Sequence, residues 1–86
     1  MSMSFEEASS KVKEWTAKPP SQDDQLELYG WFKQVKEGDV KGDRPGMFSM
    51  TARAKWDAWE KCKGTSADDA KKNYVAKVEK LKATCG

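Results

Sequence analysis

The sequence predicts an all-α fold, a four-helix bundle running up-down-down-up, and three observations carry that prediction. Segments open on a hydroxyl residue with an acid three positions on, the capping-box pattern that marks helix N-termini. No stretch alternates apolar and polar residues with the β-branched enrichment of a strand. The breaks are unequal: "KPPSQ" and "GTS" are short, whereas "EGDVKGDRPGMFSM" exceeds the ~2–8 residues usual between bundle helices. A link of that length runs along a bundle, so helices two and three are expected to lie parallel.

Each element has its own justification. Ser4 with Glu7 opens a helix over 4–16, in which Phe5, Ala8, Val12 and Trp15 share one face and Ser9 and Lys13 sit beside it. Ser21 with Asp24 opens the second, over 21–37, with Leu28, Trp31, Phe32 and Val35 as its core stripe. The third, over 51–63, has no box; it begins after Ser49 or Thr51, stops at Gly64, and gathers Ala52, Trp56, Trp59 and Lys63 on one side. Ser66 with Asp69 opens the fourth, over 66–84, where Ala67, Ala70, Tyr74, Val78 and Leu81 follow the helical rhythm and Val75 widens the stripe.

At 86 residues the chain is expected to form a single domain, residues 1–86. Its 16 basic against 14 acidic residues leave +2, far from the concentrated positive field of a duplex nucleic-acid binder, so no nucleic acid is expected as partner. No run approaches the ~20 apolar residues of a membrane helix, and "MSMSFEEASS" lacks the basic start and apolar body of a signal peptide. The expected location is cytoplasmic. Histidine is absent, which removes histidine triads, histidine metal sites and the commonest general base, so no enzyme, metal or cofactor is expected. Cys62 and Cys85 read as free thiols in a reducing compartment, a disulfide between them being the alternative.

The segment "LYGWFKQVKEGD" carries more than a core stripe. Tyr29 and Lys33 share a second face of helix two with Leu26 and Gln22, a phenol for stacking and an ammonium as a point charge. An isolated Tyr–Lys pair is more often a core edge with a solvated lysine. Here Lys13, Lys33 and Lys55 each sit at the margin of an apolar or aromatic stripe on a different helix. Convergence of those margins would surround one polyanion, and phosphate suits several lysines acting together.

Three blocks then resemble the acyl-CoA-binding protein family: "YGWFKQVKEGD", "RPGMFSMTARAKWDAWEKCKG" and "GTSADDAKKNYVAKVEKL", in order, within a similarity running from Phe5 to Leu81. The resemblance implies a four-helix up-down-down-up fold and non-covalent binding, buffering and intracellular transport of medium- to long-chain acyl-CoA esters. By matching positions it implies that Tyr29, Lys33 and Lys55 hold the nucleotide end, the lysines facing the ribose 3′-phosphate. It further implies that Lys13 reaches the phosphates, that Phe32 packs on adenine, and that Tyr74 contacts the ligand from helix four. Ser9, Leu26 and Met50 are the implied lining of the acyl chain. The chain departs from the family at Phe32, which lacks a tyrosine hydroxyl, at Thr51, where many members have lysine, and at Trp15 and Pro20. The implied partners are acyl-CoA itself, with transient contacts to membranes or acyl-CoA-using enzymes, and the implied state is a monomer. Two other classes compete with this reading. One is a nucleic-acid module, since "DRPGMFSM" ahead of a Trp- and Lys-rich helix resembles an HMG box; the other is a protein-interaction bundle whose Tyr29 stripe binds a partner helix.

Overall fold

Ser4, Ser21 and Ser66 each accept a hydrogen bond from the backbone N–H three residues on, at 3.1, 3.2 and 3.1 Å. Each thereby satisfies an N–H that a helix start leaves without an intrahelical partner. In the computed structural model, which describes residues 3–86, these caps open α1 (Phe5–Glu14), α2 (Gln22–Glu37) and α4 (Ala67–Leu81). Two acids follow each serine within the first turn, complementing the positive end of the helix dipole. The remaining helix, α3 (Met50–Glu60), starts at Ser49 without a side-chain cap or a first-turn acid. Among the described residues no strand forms.

α2 ends at Glu37 as expected, whereas the other three helices end earlier. α1 stops at Glu14 instead of residue 16, because Trp15 leaves the helical region at ψ 78° ahead of the Pro19–Pro20 pair. α3 stops at Glu60 instead of 63 and α4 at Leu81 instead of 84; in both, the last residues tighten into turns closed by shorter-range hydrogen bonds such as Cys62 N–H to Trp59 O and Thr84 N–H to Leu81 O. Gly64 supplies its expected stop at φ +89°, a left-handed conformation that a side chain disfavours.

Contacts fix the relative directions. The Gln34 side chain, near the end of α2, donates to the Thr65 carbonyl just before α4, and Lys77 late in α4 pairs at 2.8 Å with Asp24 early in α2. Those two helices are therefore antiparallel. Trp59 Nε1 donates to the Gly38 carbonyl at 2.8 Å, joining the C-terminal ends of α3 and α2, which are parallel. Phe5 at the start of α1 packs edge-on against Tyr74 in the middle of α4, centroids 5.0 Å apart, and Lys18 beyond the end of α1 exchanges backbone hydrogen bonds with Gly86 beyond the end of α4, so α1 and α4 are parallel as well. The bundle is up-down-down-up.

The long link is pinned at two points. The Asp39 carboxylate accepts from Gln34 Nε2 and from the Gly64 N–H, both at 2.8 Å, and Arg44 grips Asp57 through two hydrogen bonds of 2.8 and 2.6 Å. The core comprises Phe5, Ala8, Trp15, Leu28, Tyr74, Val75, Val78 and Leu81, with Val12, Trp31, Phe32 and Val35 packed against it. Ala52 and Ala67, in the first turns of α3 and α4, are exposed although they share a face with core residues, and Lys63, beyond the end of α3, is exposed as well. Gln34, 1% exposed, is a buried polar residue that the apolar pattern could not reveal.

Candidate ligand-binding groove

No Cα of α1 approaches a Cα of α2 within 8 Å, so the two helices lean on α4 with a gap between them. The gap is a groove of about 430 Å³ lined by Ser9, Val12 and Lys13 of α1, Gln25, Leu28, Tyr29 and Phe32 of α2, Tyr74 of α4, and Trp15, Pro19 and Pro20 at the first link. Five of the residues singled out in the sequence, Ser9, Lys13, Tyr29, Phe32 and Tyr74, thus share one cavity.

Each is positioned by its helix. Phe32 stacks on Phe5 at 5.7 Å, and Tyr74 sits against both rings, only 4% exposed. Burial pushes the Tyr74 phenol above its ordinary pKa, so its hydroxyl stays a neutral donor. Gln25 Nε2 donates to the Pro20 carbonyl at 2.8 Å and holds the first link against α2. From α3, the Lys55 ammonium lies 5.4 Å from the centre of the Tyr29 ring, within cation–π range. Lys55 is therefore brought to the rim through Tyr29.

Lys33 is placed differently. It is outside the groove lining; its ammonium pairs with the Glu37 carboxylate one turn on and lies 5.0 Å from the centre of the Trp59 ring. The Glu37 hydrogen bond raises its pKa further, so it stays charged. Leu26 opens instead into a second cavity of about 660 Å³ between α2 and α3, with Trp31, Ala54, Ala58 and Cys62. Met50 stands 76% exposed at the start of α3, one turn before Ala54. Thr51 is exposed beside it.

The groove also uses residues that the sequence assigned to the core, namely Val12, Trp15 and Leu28, and others it did not single out. The Pro-Pro pair was a signal for the link's shape; Gln25 carried none. Among the described residues no group of His, Cys, Asp or Glu could hold a metal ion. The arrangement is an apolar, aromatic floor with ammonium groups at its edge, which suits an amphipathic anion.

Comparison with known proteins decides the family. The model of the acyl-CoA-binding protein family matches residues 2–78. The chain belongs to this family. Relatives of this acyl-CoA-binding protein family member include the acyl-CoA-binding protein of Brassica napus, 53% identical over 77 residues, 90% of this chain and 83% of the relative. Acyl-CoA-binding protein homolog 1 of Caenorhabditis elegans is 48% identical over 86 residues, 100% of this chain and 99% of the relative. Among solved structures, the crystal structure of Oryza sativa acyl-CoA-binding protein 2 superposes with a TM-score of 0.85 at 40% identity, covering 92% of this chain and 87% of that one. The crystal structure of the family member from Moniliophthora perniciosa gives 0.85 at 41% identity, covering 96% and 85%. These agree with the all-α bundle and the family resemblance read from the three sequence blocks.

Proposed function

We propose that residues 1–86 act as a single domain that binds medium- to long-chain acyl-CoA esters without altering them, buffers them, and carries them within the cell. The carrying observation is that Ser9, Lys13, Tyr29, Phe32 and Tyr74, drawn from α1, α2 and α4, line one groove, and that Lys55 from α3 reaches it over Tyr29. In this reading Phe32 and Tyr29 offer faces to adenine, while Lys13, Lys55 and Lys33 meet the phosphates. Lys33 shares a helix face with Tyr29 one turn away, and in this reading it leaves Glu37 to reach the head site. The acyl chain runs toward the cavity between α2 and α3, past Leu26 and Met50, with Ser9 at its near end.

The tail supplies affinity and the head supplies choice. Burying hydrocarbon is worth about 0.8 kcal/mol per CH₂, so each added methylene tightens binding about fourfold while the cleft lasts. A dozen methylenes offer about 10 kcal/mol gross, reduced by immobilising the chain and docking the ligand. A free fatty acid lacks the adenine and the phosphates and loses both anchoring contacts. The protein works as a cytoplasmic monomer, using no cofactor and touching membranes or acyl-CoA-using enzymes only in passing. Calorimetric titration with acyl-CoA esters of increasing chain length, with free CoA and free fatty acid alongside, tests the reading. Affinity should climb with length and then level off, while a fatty acid binding as tightly as its CoA ester would overturn it.

A further inference from the structure

We propose that Glu37 sets the phosphate selectivity of the head site, because it holds the Lys33 ammonium that a ribose 3′-phosphate must recruit. The inference rests on the function proposed above, in which Lys33 serves that phosphate.

The geometry is local and complete. Lys33 and Glu37 are four residues apart on α2, so their side chains meet on one helix face. The ammonium is enclosed from two directions, by the Glu37 carboxylate and by the Trp59 indole at 5.0 Å. Trp59 is itself fixed, 8% exposed and hydrogen-bonded through Nε1 to the Gly38 carbonyl. Lys33 is thus docked toward α3, while Lys13 and Tyr29 face the groove unaided. Lys55, which lies over Tyr29, forms no ion pair among the described residues.

The consequence is an exchange of partners. An arriving phosphate must compete with the Glu37 carboxylate for the donors of the Lys33 ammonium, which opposes binding of the one phosphate that Lys33 meets. The competition is weaker at the diphosphate, which in the proposed reading relies on other lysines. Glu37→Gln keeps the shape and an acceptor oxygen but removes the charge.

The test uses the full chain, titrated with decanoyl-CoA and with 3′-dephospho-decanoyl-CoA, as wild type, as Glu37→Gln, as Lys33→Ala, and as the double variant. Glu37→Gln is expected to tighten decanoyl-CoA about two- to fivefold, the range of one exposed charge pair, with a change under about 1.5-fold for the dephospho compound. In the Lys33→Ala background the gain should vanish. If Lys33→Ala weakens binding and Glu37→Gln changes nothing, Lys33 serves the ligand and Glu37 does not compete, which overturns this inference alone. Equal tightening of both compounds, or a gain that persists without Lys33, reports a general charge effect and overturns it too. If Lys33→Ala leaves affinity unchanged, the role given to Lys33 in the proposed function fails. Melting curves followed by circular dichroism identify any variant whose fold has changed, and Glu37→Ala then serves as the second removal of the charge.

Discussion

Gly30 packs so tightly on α3 that a Cβ there would stand 2.5 Å from the Ala58 carbonyl oxygen and 2.9 Å from its carbon. The obstacle is backbone and has no rotamer to yield. Gly30→Ala is therefore expected to lose stability although alanine is the better helix former by about 1 kcal/mol. With a backbone obstacle this close the cost should fall toward the upper end of the about 1–3 kcal/mol usual for overpacking, so the net loss should approach about 2 kcal/mol and the melting temperature should fall by roughly 10–15 °C. A thermal melt followed by circular dichroism decides it; an unchanged or higher midpoint would show that α2 and α3 are not in such close contact.

The Lys55–Tyr29 pair yields a binding prediction. In the proposed site Lys55→Ala removes a charge-assisted contact and should weaken acyl-CoA binding by about 1.5–3 kcal/mol, with helicity retained because Lys55 is exposed. Tyr29→Ala should also weaken binding, since the stacking face goes with it. Calorimetry on both variants measures the loss, and wild-type affinity in each would remove Tyr29 and Lys55 from the site.

Acid should loosen the bundle at three known points. The carboxyls of Asp24, Asp39 and Asp57 lie below the usual range, chiefly through hydrogen bonds from Lys77, from the Gly64 N–H and from Arg44 respectively. A carboxyl with a lowered folded pKa adds stability that is fully present above its unfolded value, about 3.9, and is lost as pH falls through the folded value. Urea denaturation should be flat from pH 7 to about 5 and decline below pH 4, and Asp39→Ala should flatten part of that decline. A midpoint that holds steady down to pH 2 would contradict these pairings.

The two thiols should differ in reactivity. Cys62 is 4% exposed and burial pushes its pKa up to about 11, so almost none of it is thiolate near neutrality; Cys85 is half-buried near the C-terminus. A colorimetric thiol reagent at pH 8 should modify one cysteine quickly and the second only on unfolding. Rapid modification of both would mean that Cys62 is accessible.

Much of the fold is legible in the sequence where the physics is local. Ser4, Ser21 and Ser66 cap their helices because a serine hydroxyl meets an N–H three residues away whatever surrounds it. The parallel placement of α2 and α3 follows from link length alone. What the sequence hides is set by neighbours distant along the chain. Gln34 lies outside the apolar stripe of α2, yet Asp39 and Thr65 draw it inside. Lys13 and Tyr29 flank apolar stripes and do line the groove, whereas Lys33, with the same credentials on a helical wheel, is held by Glu37 and Trp59. A wheel gives the face from which a long side chain starts and says nothing of where its flexible end settles. Leu26 illustrates the same limit, since the cavity it opens into exists only once α3 lies alongside α2.

The separation of α1 from α2 has a bearing on how cargo moves. Their Cα atoms never come within 8 Å of each other, and the segment joining them is tied off by paired backbone hydrogen bonds between Lys18 and Gly86. In the proposed reading the nucleotide head settles into that seam without prising helices apart, so that end of the passenger can dock and leave while the rest of the molecule stays folded.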